Sequence, residues 1–579
     1  MQKTTSLLKN YKKELILGPT FKMLEVVFEL LTPFLMKSII DIGIPYAQNN
    51  GDYSKIILNG VLILVFCILG FFSTLVCQYF ASLASQGFGT DLRNLIFKKI
   101  NSLSLRELEE TGEGNLLNLM NNDVNRLQLA VAMLIRLVIR APALVIGSLI
   151  CSFLIDWKIA LIFLAVVVLV SVILYLVFNA TNHRFIKLQN ENDKMSQTVD
   201  DGLNGSRVIR SFNAEKSEVE KYKKETNDYY KDAKKVSFIN SCINPLTFLV
   251  INIAIILTIY LGRGEINLNN SEFTSGSIIA LISYLNQILM ALIVVSNLIL
   301  IFNKAYASKK RVDVLLAKNS TIINDPKIGK TSINEGDVLF DFEHVDFAYK
   351  LGGNLTIKNI NFSIKKGENV GLIGGTGSGK STIVKLLDRL FDATNGAIYY
   401  KGHNIKDYDL NILHSEISLI NQKNMLFKGT IRSNLLMAKK DATDEEMIDA
   451  LKKADAHSFV FKLEKNLDSE VLENGHNFSG GQCQRLCIAR AILKADEIII
   501  LDDSTSALDF ITDKKVRSNI NSINGLTKLY ISQRATTLMN CDKIIVLNNG
   551  TIENIGTHSE LLKTSKIYRE IFESQVRNE

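Results

Sequence analysis

The run Gly374-Gly375-Thr376-Gly377-Ser378-Gly379-Lys380-Ser381 fits the pattern GxxxxGK[ST], and Thr382 continues it. An apolar stretch, NVGLI, precedes it and a helix-forming stretch, STIVKLLDRL, follows. A strand, a glycine loop and a helix start in that order turn several backbone N–H groups toward one point, which suits a phosphate chain. In that setting Lys380 would neutralise β- and γ-phosphates and Ser381 would ligate Mg²⁺. Farther along, Glu497-Ile498-Ile499-Ile500-Leu501-Asp502 reads as an apolar strand ending in a carboxylate, and Asp502 is suited to hold Mg²⁺ through its hydration shell. Between the two lies Phe478-Ser479-Gly480-Gly481-Gln482, followed by the helical run QRLCIARAIL. These residues point to the binding of a nucleoside triphosphate with Mg²⁺.

The elements that carry this chemistry occupy less than half of the chain. Of 579 residues, 47% are hydrophobic and 22% charged, a mixture that excludes disorder and excludes a purely intramembrane protein. Apolar runs at Leu15–Ile44, Ile56–Leu83, Leu127–Ile155, Ile159–Phe178, Phe238–Leu261 and Ile278–Phe302 each approach or exceed the ~20 residues that cross a bilayer. After Phe302 short β-type runs alternate with helical ones, as in an α/β domain. Lys and Arg number 5 in Ala84–Arg126, 12 in Asn179–Ser237 and 4 in the first 14 residues, whereas the opposite connections hold only Lys55, Lys158 and Arg263. The positive-inside rule therefore predicts both termini, the two long connections and the α/β domain in the cytoplasm of a multi-pass membrane protein. The net charge of +7 is read as loops against a membrane surface rather than as a nucleic-acid footprint. Seven cysteines without a CxxC pair argue against a disulfide framework or a zinc site, and Cys483 and Cys487, one helical turn apart, read as packing residues.

With these motifs in hand, the sequence resembles the ATP-binding cassette (ABC) transporter superfamily, whose signature LSGGQ appears here as FSGGQ. Six spans ahead of the cassette resemble an exporter-type half-transporter. The resemblance covers nearly the whole chain and implies further roles. Tyr349 stands where an aromatic stacks on adenine. Gln422, in SLINQKNMLFKGTIRSNL, matches the glutamine that contacts Mg²⁺ and attacking water, and Ser506-Ala507-Leu508-Asp509 matches the D-loop. Ser479, Gly480, Gly481 and Gln482 would contact nucleotide across a dimer. Arg106–Asp123 and Leu203–Asn213 match the regions whose short coupling helices press on the cassettes.

Two departures from the family bear on mechanism. The glutamate that polarises attacking water is here Asp503, and the switch histidine that contacts the γ-phosphate is here Gln533. One methylene shorter, Asp503 would stand back by ~1 Å, a displacement that costs on the order of 10²-fold in rate; Gln533 can hydrogen bond but cannot carry a cation. Together they resemble the non-hydrolysing member of a heterodimeric exporter, whose own site binds ATP and whose intact signature completes the site of an unlike partner half-transporter. Leu472 and Asn474 also depart from the family's TEVGERG.

The expectation is a multidomain chain. Residues 1–14 form an amphipathic lead-in and 15–310 an all-α six-helix transmembrane domain with long cytosolic helix extensions. A linker, 311–336, leads to an α/β phosphate-loop nucleotide-binding domain, 337–579. Intramembrane Lys22, Glu25, Glu29, Lys37, Asp41, Gln78, Asn244, Asn286 and Gln287 either line a pathway or satisfy one another; Arg136 and Arg140 are placed toward the cytosolic end and need not meet substrate. The absence of a peptidase-like domain before the first span disfavours a processing peptide exporter. Efflux of amphipathic compounds, lipids or peptides is the family expectation, against an ATP-gated channel-like subunit or an importer on the same fold.

Overall fold

The computed structural model describes residues 4–267, 273–350, 352–420, 422, 424–502 and 508–576. Internal contacts divide the chain into two units, Met1–Asn101 with Glu113–Lys318, and Ser102–Gly112 with Asn319–Glu579.

The first unit is helical: α1 (Lys12–Ser38), α2 (Ser54–Ser102), and then, beyond a short helix α3 (Leu105–Thr111) that belongs to the second unit, α4 (Glu113–Ile155), α5 (Trp157–Asn204), α6 (Ser206–Ser211), α7 (Glu215–Arg263) and α8 (Ser275–Ala317). Among the described residues five helices are long and apolar enough to cross a membrane, namely α2, α4, α5, α7 and α8. The expected first span coincides with α1, where Lys22, Glu25 and Glu29 fall inside any membrane-length stretch. At 49 residues α2 is about 70 Å long, more than twice the hydrocarbon core, so it projects well beyond a bilayer. Leu58, Leu64, Phe71 and Phe72 stand exposed along it, which water would penalise and lipid does not.

Within this unit α8 is the central post. Tyr284, Leu285 and Ile288 are fully buried against Phe163 of α5, and the Tyr284 hydroxyl donates to the Leu30 carbonyl at 2.7 Å. The start of α8 is fixed by a capping box between Thr274 and Ser277. Asp41 accepts from the Gly276 N–H at 2.8 Å there, so that carboxylate anchors a helix end. Farther down, fully buried Asp123 accepts from Ser308 Oγ at 2.8 Å and Arg311 Nε at 2.9 Å, tying the start of α4 to α8.

The second unit holds two sheets. Strands β1 (Val338–Phe347), β2 (Ile357–Lys365), β4 (Asn395–Tyr400) and β5 (His403–Asn404) form an antiparallel sheet in the order β2-β1-β4-β5. The six-stranded sheet has the order β10-β9-β3-β8-β7-β6, from β3 (Asn369–Gly374), β6 (Ile417–Ile420), β7 (Ile498–Asp502), β8 (Thr527–Ile531), β9 (Lys543–Asn548) and β10 (Thr551–Gly556). Five of these strands are parallel, and only the edge strand β10 runs against its neighbour. Every residue of β7 and β8 is buried, as in a sheet covered on both faces. Helices α9 (Lys380–Leu387), α10 (Gly480–Lys494), α11 (Phe510–Asn521), α12 (Ala535–Leu538) and α13 (Lys566–Val576) complete the frame used below.

Candidate nucleotide site

Register explains why distant residues meet. Ile531 pairs with both Leu372 and Asp502, so the carboxyl ends of β3, β8 and β7 lie side by side. That end of a parallel sheet is where α/β folds bind ligands. A cavity of about 240 Å³ opens there, lined by the phosphate loop from Thr376 to Thr382 together with Gln422, Asp502 and Gln533.

The loop itself is a cradle shaped by glycine. Gly377 and Gly379 have φ of 80° and 102°, a region that disfavours any side chain. A Cβ on Gly374 would sit 2.4 Å from the Leu547 carbonyl. Lys380 Nζ donates to the carbonyls of Gly374 and Gly375, each at 2.8 Å, which folds its ammonium back over the loop. Ser381, Gln422 and Asp502 share the cavity, so a hydroxyl, an amide and a carboxylate converge where Mg²⁺ would sit beside phosphate. This is a donor set that fits a hard cation and a polyanion.

Two contributors were not visible in the motifs. Thr356 lines the cavity, and Gly550 packs against its carbonyl. Gly550, at φ 83°, would place a Cβ 2.4 Å from the Thr356 carbonyl, and its N–H donates to the Ser378 carbonyl at 3.2 Å. No local signal marks either residue, because the turn after β9 reaches the loop only through the sheet.

The remaining expected residues divide. Tyr349 stands beside the cavity rather than in its lining. Its hydroxyl hydrogen bonds Thr382 Oγ1 at 3.1 Å, and its ring meets Phe347 and Phe391 edge-on. Lys385 of α9 lies 5.1 Å above that ring and 3.7 Å from Glu109 of α3, while Arg106 donates to the Ala348 carbonyl at 3.2 Å. The short helix α3 is thereby seated against the loop that carries Tyr349. The segment Ser479–Gln482 lies outside the cavity, at the start of α10, where Ser479 and Gln482 form a capping box. Asp509 caps α11, and the Thr512 N–H that it accepts holds its carboxyl below the usual range. Asp503, Ser506 and Ala507 lie outside the described residues. Burial pushes the thiols of Cys483 and Cys487 up, in keeping with packing residues. Asn474 adopts φ 55°, which asparagine tolerates.

In the helical unit, cavities of about 590 and 200 Å³ share three residues: Glu29, Arg140 and Gln287. Arg140 Nη2 donates to Glu29 Oε2 at 3.0 Å, and its Nε lies 3.7 Å from Glu25 Oε1; Glu25 also pairs with Lys22 at 2.5 Å. Gln287 Nε2 donates to the Glu29 carbonyl at 3.3 Å and its Oε1 accepts from Ser148. Arg140 lines both cavities, with the carboxylates of α1 opposite it. Phe28 and Phe66, stacked at 5.6 Å between centroids, line the larger cavity.

A helical unit with membrane-crossing segments, joined in one chain to a phosphate-loop unit, defines an ATP-dependent membrane transporter. Residues 15–292 match the ABC transporter transmembrane region and residues 357–506 match the ABC transporter family. The chain is 30% identical over 579 residues to the uncharacterised ABC transporter ATP-binding protein YfiB of Bacillus subtilis, covering 100% of this chain and 99% of that one. It is 31% identical to the probable multidrug resistance protein YheI of the same organism, over 84% and 82% of the two chains. It is 28% identical to the lipid A-core flippase of Pasteurella multocida, over 94% and 92%. Its fold is similar to that of a bacterial Atm1-family ABC exporter solved with ATP bound, with a TM-score of 0.80 at 21% identity, covering 97% and 98%. The chain belongs to the ABC transporter family, in the form of an exporter-type half-transporter with one membrane region and one ATP-binding region.

Proposed function

We propose that this chain is the ATP-binding, slowly hydrolysing subunit of a heterodimeric exporter of amphipathic compounds. The observation that carries the reading is Gln533: a neutral amide lines the phosphate cavity beside Lys380, Ser381 and Asp502, where the family has histidine. In the closed assembly Lys380 and the loop amides take the phosphates, and Tyr349 offers its ring to adenine from its place beside Thr382. Ser381 and Asp502 would hold Mg²⁺, with Gln422 alongside, and the bound ion would offset charge on the β- and γ-phosphates. Asp503, short by one methylene, reaches attacking water poorly, so ATP stays bound for long periods. The signature from Ser479 to Gln482, outside this chain's own cavity, serves a partner's, where its backbone and hydroxyl stabilise γ-phosphate charge.

For the substrate class, support comes from the polar cluster of Glu29, Arg140 and Gln287 set among Phe28, Phe66 and Phe71. Such a wall accommodates a ligand with apolar bulk and a charged or polar head. The relatives that carry multidrug resistance and lipid flippase names agree with that chemistry. The cassette's placement in the cytoplasm follows from the charge distribution of the connections.

Asp503→Ala tests the division of labour. Steady-state ATPase of the assembled complex should change by less than about twofold, since this site contributes little turnover. A loss as deep as that caused by removing the partner's catalytic glutamate overturns the reading.

A further inference from the structure

The carboxamide of Gln575, on the C-terminal helix α13, makes two hydrogen bonds to the backbone on either side of Arg534. Its Nε2 donates to the Gln533 carbonyl at 2.8 Å and its Oε1 accepts from the Ala535 N–H at 2.8 Å. Ala535 opens α12, four residues long and without a side-chain cap of its own, so that N–H is a donor which the helix leaves without an internal partner. A primary carboxamide is the neutral side chain that presents a donor and an acceptor side by side, as a peptide group does. The backbone just before it is held as well: the Ser532 N–H bonds the Leu372 carbonyl, and Ser532 Oγ accepts from the Arg534 N–H at 3.0 Å. The anchor is firm, because Tyr568 of α13 is fully buried and its hydroxyl bonds His558 at 2.7 Å, with Phe572 packed on the same imidazole.

We propose that Gln575 is a positioning residue for Gln533, and that through it α13 sets how well the site distinguishes a nucleoside triphosphate from a diphosphate. The inference rests on the reading that this cavity takes ATP. Gln533 lines the cavity from a backbone turn held at Gln533 and Ala535, which fixes the point from which its amide reaches toward the terminal phosphate. Without the clamp the turn between β8 and α12 gains freedom that binding must then remove. A diphosphate, which lacks the group that Gln533 would meet, is indifferent to that loss.

The test uses the full chain in lipid nanodiscs with Mg²⁺, titrated with the β,γ-imido analogue of ATP and, separately, with ADP. Gln575→Ala is expected to weaken the triphosphate analogue by about three- to tenfold and ADP by less than about twofold. Gln533→Ala should lose the same selectivity, and the double variant should be no worse than Gln533→Ala alone. Gln575→Glu keeps an acceptor for the Ala535 N–H but has no donor for the Gln533 carbonyl. It should show the same selective loss, and it carries the test if Gln575→Ala does not fold. Equal losses for both nucleotides, no loss, or additive losses in the double variant overturn the proposal. Failure of the unsubstituted chain to bind either nucleotide overturns the ATP-site reading itself, and the inference with it.

Discussion

Gly550 shows at the scale of one residue how the nucleotide site is built from parts that no motif joins. Its positive φ and its approach to Thr356 leave no space for a Cβ, and its N–H holds Ser378. Gly550→Ala should therefore cost about 1–3 kcal/mol in backbone strain and weaken ATP binding, read by thermal unfolding and by nucleotide titration of the full chain. A variant with unchanged melting and affinity would mean that the turn is not part of the cradle. The phosphate loop, Asp502 and Gln533 were legible because each sits in a contiguous pattern with its own strand. Thr356 and Gln575 were not, since what places them is sheet register and the return of the C-terminal helix, neither of which leaves a local mark. Tyr349 was legible as an aromatic ahead of the loop, but its bond to Thr382 and its cover by Lys385 were not.

Between elements, the two sheets of the nucleotide unit are joined by a buried ion network. Lys401, fully buried after β4, donates to Glu416 at 3.0 Å and to Glu497 at 2.9 Å, and Tyr400 donates to Glu416 at 2.8 Å. Lys366 reaches the other oxygen of Glu497 at 3.0 Å. Lys401→Met should destabilise this unit by about 3–5 kcal/mol, because it leaves the fully buried Glu416 without its cation and Glu497 with Lys366 alone. Burial alone would raise the Glu497 carboxyl, but Lys401 and Lys366 outweigh it and hold the group below its ordinary value. A depressed carboxyl contributes its stability above the unfolded pKa of about 4.3, and loses it as pH falls from there through the folded value. The deficit of Lys401→Met should accordingly narrow in that acidic window, as urea unfolding at pH 7 and pH 4 would show. A deficit independent of pH would assign the loss to packing instead. The α/β character of the unit could be read from short β-type runs alternating with helical ones, whereas this bridge pairs residues 15 and 96 positions apart. In the membrane unit the apolar runs marked the helices well. The charges in α1 became meaningful only once Arg140 of α4 was found opposite them.

For the molecule as a whole, the question is whether one chain suffices. The signature segment caps α10 and does not line this chain's own cavity, which leaves it open to another cassette. Ser479→Ala should reduce turnover of the assembled transporter by about tenfold or more, through loss of charge stabilisation at the partner's site. Unchanged turnover would argue against sharing of sites between chains. The most direct measurement of the central claim is the ATPase rate of this chain purified alone in lipid, after ATP binding has been confirmed, and again with an unlike half-transporter added. The account expects a rate near zero alone, with hydrolysis appearing on addition of the partner. Brisk hydrolysis by the chain alone would contradict it, and would make Asp503 and Gln533 competent catalytic residues of a homodimeric pump.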